Sequence, residues 1–191
     1  MSDPSPPVTS SAPAFVGRTA VVLGGMYRLR TAESPLHGPR IQLLASGAAV
    51  HDVLGAQRVL GSDWGVHADV WSVASWTDLH RDALDADRAR RRGEDRIPCV
   101  TARLSGTQGP VLAVSEGKRQ VLDRLGPWVE QDYATLGSDG TAWPGTCEGL
   151  PGEVRVDVGT IVVTALHRLR RLGAVDPETV VNSRVRYGWR A

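Results

Sequence analysis

Apolar residues along this chain fall in short blocks whose period switches back and forth. "RIQLLASG", residues 40–47, is a near-continuous apolar run ending in Ser-Gly, the pattern of a buried strand entering a turn. "AAVHDVLGAQRVL" follows, with Val50, Val53, Leu54, Val59 and Leu60 roughly on one helical face. "VHADVWSV" predicts a second strand and "WTDLHRDALDADRARRR" a second helix. Ser75 and Asp78 make an S-x-x-D capping pattern at that helix's start. Arg88, Arg90, Arg91 and Arg92 crowd its last turn, where the helix dipole favours cations, and Gly93 stops it.

"IPCVTARL" predicts a third strand and "PVLAVS" a fourth. A helix "EGKRQVLDRL" then runs to Gly126-Pro127, and "DYATLGS" predicts a fifth strand. A Gly/Pro/Thr-rich loop, "DGTAWPGTCEGLPG", leads to a long helix with Val158, Ile161, Val162, Ala165, Leu166, Leu169 and Leu172 on one stripe. A last helix starts with Asp176 as N-cap and Pro177 at its first position. Upstream, "FVGRTAVVLGGMYRLR" reads as a short apolar helix, a break at Gly24-Gly25 and an extended segment; "ESPLHGPR" is a turn. Residues 1–14 are Pro/Ser/Thr/Ala-rich and are expected to be a disordered leader to one domain over 15–191. Strands alternating with helices, and no internal repeat, predict an α/β domain with a mostly parallel sheet.

Charge narrows the function classes. The 191 residues carry 22 basic and 21 acidic side chains, a net of +1, which gives no electrostatic argument for nucleic acid or an anionic membrane. The charge-dense stretch 81–96 mixes six arginines with five acids, as a solvated helix and loop would. Cys99 and Cys147 lie far apart, without metal-ligand spacing, which fits a reducing compartment. The start has neither the basic nor the apolar region of a signal peptide, and no apolar run approaches the ~20 residues of a membrane span. A cytoplasmic location is the expectation.

Candidate chemistry is sparse. "AVSEG", residues 113–117, is a strand–Ser–helix turn one residue short of the nucleophile elbow, and Asp139 and His167 follow in the hydrolase order Ser…Asp…His. Against a triad stand Ala113, where a tight elbow favours glycine, and His167, which falls inside a helix rather than on a loop. The competing reading makes Ser115 a helix cap and His167 a solvated residue. "GSDG", residues 137–140, resembles the opening of a magnesium-diphosphate motif, but the asparagines such a motif needs are missing, since Asn182 is the only one. His37, His51, His67, His80 and His167 show no ligand spacing, and no phosphate-loop motif is present. Trp64, Trp71, Trp76, Trp128, Trp143 and Trp189 include several beside predicted turns, where they serve either as interface anchors or as edges of the core.

The blocks "GGMYRLR", "IQLLASGA", "GVHADVWSVASWTDLHRDALDADR", "RIPCVTARL", "VSEGKRQ", "DYATLGSDG" and "VDVGTIVVTALHRLRRLG", in this order, resemble the C-terminal domain of the homodimeric pyruvate dehydrogenase decarboxylating component, a thiamine-diphosphate enzyme related to transketolase. The similarity spans roughly residues 17–180, and "DVWSVASWTDLHRD" is its most specific part. The resemblance implies a three-layer α/β/α domain with a five-stranded, mostly parallel sheet, acting as a packing and interface element. It implies that thiamine diphosphate and magnesium are held by other domains, with no catalytic, cofactor or metal residue here. After "LGSDG" the chain departs from the family, reading "TAWPGTCEGLPGEVR" where relatives carry Phe-Gly and an Arg/Ser/Asp-containing helix start near the substrate entrance.

Two readings follow. In the first, the chain, opening on its own methionine and leader, is a separately made subunit of a split thiamine-dependent enzyme. Partner chains would bind the cofactor and cleave a 2-keto acid or ketose, passing a two-carbon unit to a lipoyl or carrier-protein thiol. Ser46, Ser75, Trp76, Thr77, Asp78, Ser138, Asp139 and Trp143 are then expected to face the partner in a hetero-oligomer, from the carboxyl ends of the strands or the adjacent loop. In the second, the fold serves as a free-standing binding or regulatory module. A hydrolase using Ser115, Asp139 and His167 is a distant third.

Overall fold

The computed structural model describes residues 25–32, 38–137 and 156–189. Five strands form one sheet: β1 (Met26–Arg30), β2 (Arg40–Ala45), β3 (His67–Val73), β4 (Val111–Val114) and β5 (Tyr133–Leu136). Their spatial order is β1-β3-β2-β4-β5. β2, β3, β4 and β5 are mutually parallel, and β1 runs antiparallel to β3 along one edge.

Alternation along the strands explains the layers. Ile41, Leu43, Ala45, Val70, Leu112 and Val114 point to one face, where they pack with α1 (Ala49–Trp64), α5 (Val158–Arg171) and α6 (Pro177–Arg186). Leu44, Trp71, Val73, Val111 and Ala113 point to the other, against α2 (Trp76–Arg91), α3 (Cys99–Leu104) and α4 (Arg119–Asp123). A sheet covered on both faces needs apolar side chains at odd and even positions alike, which is why β2 and β4 read as continuous apolar runs.

One element differs from its sequence reading. "IPCVTARL" is not a strand; it contains α3. Pro98 stands at the helix start, where its missing N–H costs nothing. The Cys99 N–H donates to Asp82 Oδ2 at 2.6 Å. Val100 and Leu104, four apart, bury one helical face in the second core, while Ala102 between them is exposed. Strand spacing would have buried all three. The fifth strand is instead the extended "MYRLR" segment, so the strand count and the mostly parallel architecture stand.

The helix signals of the second helix are realised. Ser75 Oγ accepts from the Asp78 N–H at 3.2 Å, and Gly93, at φ 82°, follows the helix end. Its charges pair along the exposed surface, Arg81 with Asp78 and Arg88 with Asp85, as a solvated helix does. Asp176 is the N-cap of α6, without a side-chain capping bond.

A polar network sits at the opposite end of the sheet, where the sequence pattern showed only alternation. Trp71 Nε1 donates to Gln42 Oε1 at 2.8 Å. Gln42 Nε2 donates to the Gln108 carbonyl at 3.0 Å, and the Ala32 N–H donates to buried Asp69. The network ties the chain leaving β1 to the amino ends of β2 and β3, and it satisfies polar groups that would be costly to bury alone.

Candidate functional site at the carboxyl edge

The connection β2–α1–β3 lies on one face of the sheet and β4–α4–β5 on the other, and they lead in opposite directions. The loops therefore part between β2 and β4. Beyond the carboxyl ends of two such strands a crevice opens, the usual ligand position of an open α/β sheet. Its rim is built by Ser46 after β2, residues 74–78 after β3, Ser115 to Lys118 after β4, and Gly137 after β5.

The rim is held by its own hydrogen bonds. Trp76, expected to point outward, instead lies in the core on the α2 face, with 7 % of its surface exposed. Its Nε1 donates to Ser46 Oγ at 2.7 Å, pinning the end of β2 to the start of α2. Ser75 is half-buried and occupied as the α2 cap; Thr77 is exposed, and half-buried Asp78 engages Arg81 at 2.9 Å. Ser46, Ser75, Trp76, Thr77 and Asp78 thus lie together at one strand edge, with Trp76 as the buried brace that the sequence pattern did not reveal. Ser138, Asp139 and Trp143 lie outside the described residues.

Gly137 was not singled out by the sequence reading. A Cβ there would come within 2.8 Å of the Arg119 backbone nitrogen and 2.9 Å of the Gly117 carbonyl oxygen. The chain leaving β5 can pass over the start of α4 only without a side chain.

The described residues favour the helix-and-turn reading of Ser115 and His167 over the triad. Ser115 is 8 % exposed, and its Oγ accepts from the Gly117 N–H at 3.0 Å, closing the turn after β4. His167 is within α5, where burial first, then Arg184, Arg168, Arg170 and Arg171, hold its pKa below the usual histidine value. A triad histidine must become imidazolium during the reaction, and four neighbouring cations oppose that charge. Asp139 lies outside the described residues.

The described residues also do not fit a thiamine diphosphate site. Magnesium bound to the diphosphate needs clustered oxygen ligands. Among the described residues no group of three or more His, Cys, Asp or Glu is gathered for a metal. The single asparagine, Asn182, is on the exposed side of α6. What the edge offers is a firm surface of serine, threonine and backbone groups. Among the described residues, no helix is long and apolar enough to cross a membrane.

The chain matches relatives over this same architecture. It is 37 % identical over 169 residues to the "Pyruvate dehydrogenase E1 component" of Mycolicibacterium smegmatis and of Mycobacterium tuberculosis, which covers 87 % of this chain and 18 % of each relative. It is 31 % identical over 163 residues to that of Escherichia coli, covering 83 % of this chain and 18 % of that protein. It is also similar to a solved transketolase from Campylobacter jejuni, at 18 % identity and TM-score 0.45, over 77 % of this chain and 19 % of that one. The family model "Transketolase-like TK C-terminal domain" matches residues 25–142, from the start of β1 past the end of β5. By this match and by the identity to its relatives, the chain belongs to the transketolase-like C-terminal domain family.

Proposed function

We propose that this domain is a non-catalytic subunit of a thiamine-diphosphate-dependent pyruvate dehydrogenase-like or transketolase-like enzyme. Partner chains would hold the cofactor and magnesium, cleave a 2-keto acid or ketose, and pass the two-carbon unit to a lipoyl or carrier-protein thiol. The observation that supports this reading is the family match: 87 % of the chain aligns, at 37 % identity, with a pyruvate dehydrogenase E1 component. The cofactor's carbon chemistry belongs to the cofactor and to the groups that hold it, and among the described residues no metal cluster is gathered. This chain's part is then to supply a wall. Ser46, Ser75, Thr77 and Asp78 would meet the partner at the carboxyl edge, with Trp76 holding the two loops in register from beneath. A location in the cytoplasm goes with that reading.

The test is co-expression with a chain bearing the diphosphate- and pyrimidine-binding domains. A stable complex with keto-acid or ketose turnover is expected, and Thr77→Arg on the exposed rim should weaken assembly while leaving this chain's own melting midpoint in place. If the two purify apart and the partner is fully active alone, the subunit reading fails.

A further inference from the structure

The two edges of the sheet are built differently. β1 carries exposed Arg28 and Arg30, and its register with β3 shifts between them. Edge charges and a bulge are the usual guards against a further strand. β5 has neither. Tyr133, Ala134, Thr135 and Leu136 are uncharged, include no proline, and stay in unbroken register with β4. The outer side of β5 also keeps unused backbone groups. The Val111 N–H donates to the Asp132 carbonyl at 2.8 Å, and the Ser115 N–H to the Leu136 carbonyl at 3.0 Å. Backbone groups alternate along a strand, so residues 132, 134 and 136 face β4, while Tyr133 and Thr135 turn their N–H and C=O groups away from it. Among the described residues, nothing pairs with those groups.

Opposite charges stand at the two ends of this strand. Exposed Glu130 precedes its amino end. At its carboxyl end Gly137 lies against the backbone of residues 117–119, which places exposed Lys118 beside it. Among the described residues, neither Glu130 nor Lys118 has an opposite charge within ion-pair reach. An antiparallel strand of the same sequence would bring the acidic end to the basic end. A parallel one would set like charges side by side.

We propose that β5 pairs antiparallel with β5 of a second copy of this chain, about a two-fold axis at Ala134, joining the two sheets into one. In that register Tyr133 stands opposite Thr135 of the second copy, and each such pair exchanges both of its backbone hydrogen bonds. Glu130 then comes to the second copy's Lys118, and the same contact recurs across the axis. A strand this short buries less surface than a permanent interface, so the dimer forms and parts with concentration. The surface runs along the side of the sheet, and the inference does not rest on the assembly reading.

The experiment is sedimentation equilibrium of the full chain over a concentration series, with amide hydrogen exchange at both ends of the series. The mass should rise from one chain to two and stop there, because a contact of this kind closes on itself. The Tyr133 and Thr135 amides should exchange fast in the dilute sample and be protected in the concentrated one. Glu130→Arg and Lys118→Glu, both at exposed positions, should each weaken the dimer about tenfold, because two symmetric attractions become repulsions. The double variant Glu130→Arg/Lys118→Glu should restore it, which a change in folding alone would not do. Arg28→Glu on the β1 edge should change nothing. The proposal is overturned if the chain stays monomeric throughout, if the mass climbs past two chains, if a dimer forms while those amides still exchange fast, or if the double variant associates no better than the single ones.

Discussion

Trp76 and Ser46, thirty residues apart in sequence, are joined by a 2.7 Å hydrogen bond from the indole nitrogen to the serine hydroxyl. The bond links the carboxyl end of β2 to the first turn of α2, and the ring behind it is part of the core. Trp76→Ala is therefore expected to destabilise the isolated domain by about 3–5 kcal/mol, the range for emptying a buried aromatic site. Ser46→Ala keeps the ring and strands its N–H, and should cost about 1–3 kcal/mol. Urea unfolding of the two variants reads both. A Trp76→Ala midpoint equal to the wild type would return the ring to the surface.

Two glycine-to-alanine changes should have opposite signs. Gly137→Ala would drive a methyl into the Arg119 backbone, which has no flexible end to yield, so a loss of about 1–3 kcal/mol is expected. Gly61→Ala, in the exposed interior of α1 with open space around its Cβ, should gain up to about 1 kcal/mol from helix propensity. Thermal melts of both variants check the pair; an unchanged Gly137→Ala would mean that the crossing over α4 relaxes freely.

His167 makes stability fall on acidification. Its folded pKa lies below its unfolded value of about 6.5, through burial and then through Arg184, Arg168, Arg170 and Arg171. Above about pH 6.5 the ring is neutral in both states and its contribution is fully present. As pH falls through that value the unfolded chain takes up a proton that the folded chain still refuses, and stability declines until the folded pKa is passed. Denaturant melts between about pH 7.5 and 5 should show a shallower decline for His167→Gln than for the wild type, measured against the same buffer series. Equal slopes would show that the arginines leave the ring unperturbed.

Much of this fold follows from local patterning. The continuous apolar runs of β2 and β4 required a sheet covered on both faces, because only then are alternate residues all buried. The stripes of α1 and α5 and the Ser75 cap are local patterns, and local patterns fix elements whose length exceeds one or two turns. They also bring the ends of β2, β3 and β4 to one edge. Tertiary structure decided the rest. Six residues from Cys99 to Leu104 are apolar enough for either a strand or a helix; the Asp82 carboxylate at the Cys99 N–H and the burial of Val100 with Leu104 selected the helix. The edge strand came from "MYRLR", whose mixed arginines and exposed Tyr27 and Leu29 give no clean alternation. Trp76 could not be assigned to core or surface from its neighbours, because its acceptor is thirty residues away on another strand. Gly137 is likewise informative only through the Arg119 backbone that lies across from it. Such contacts join residues distant in the chain, and no periodicity within one segment records them.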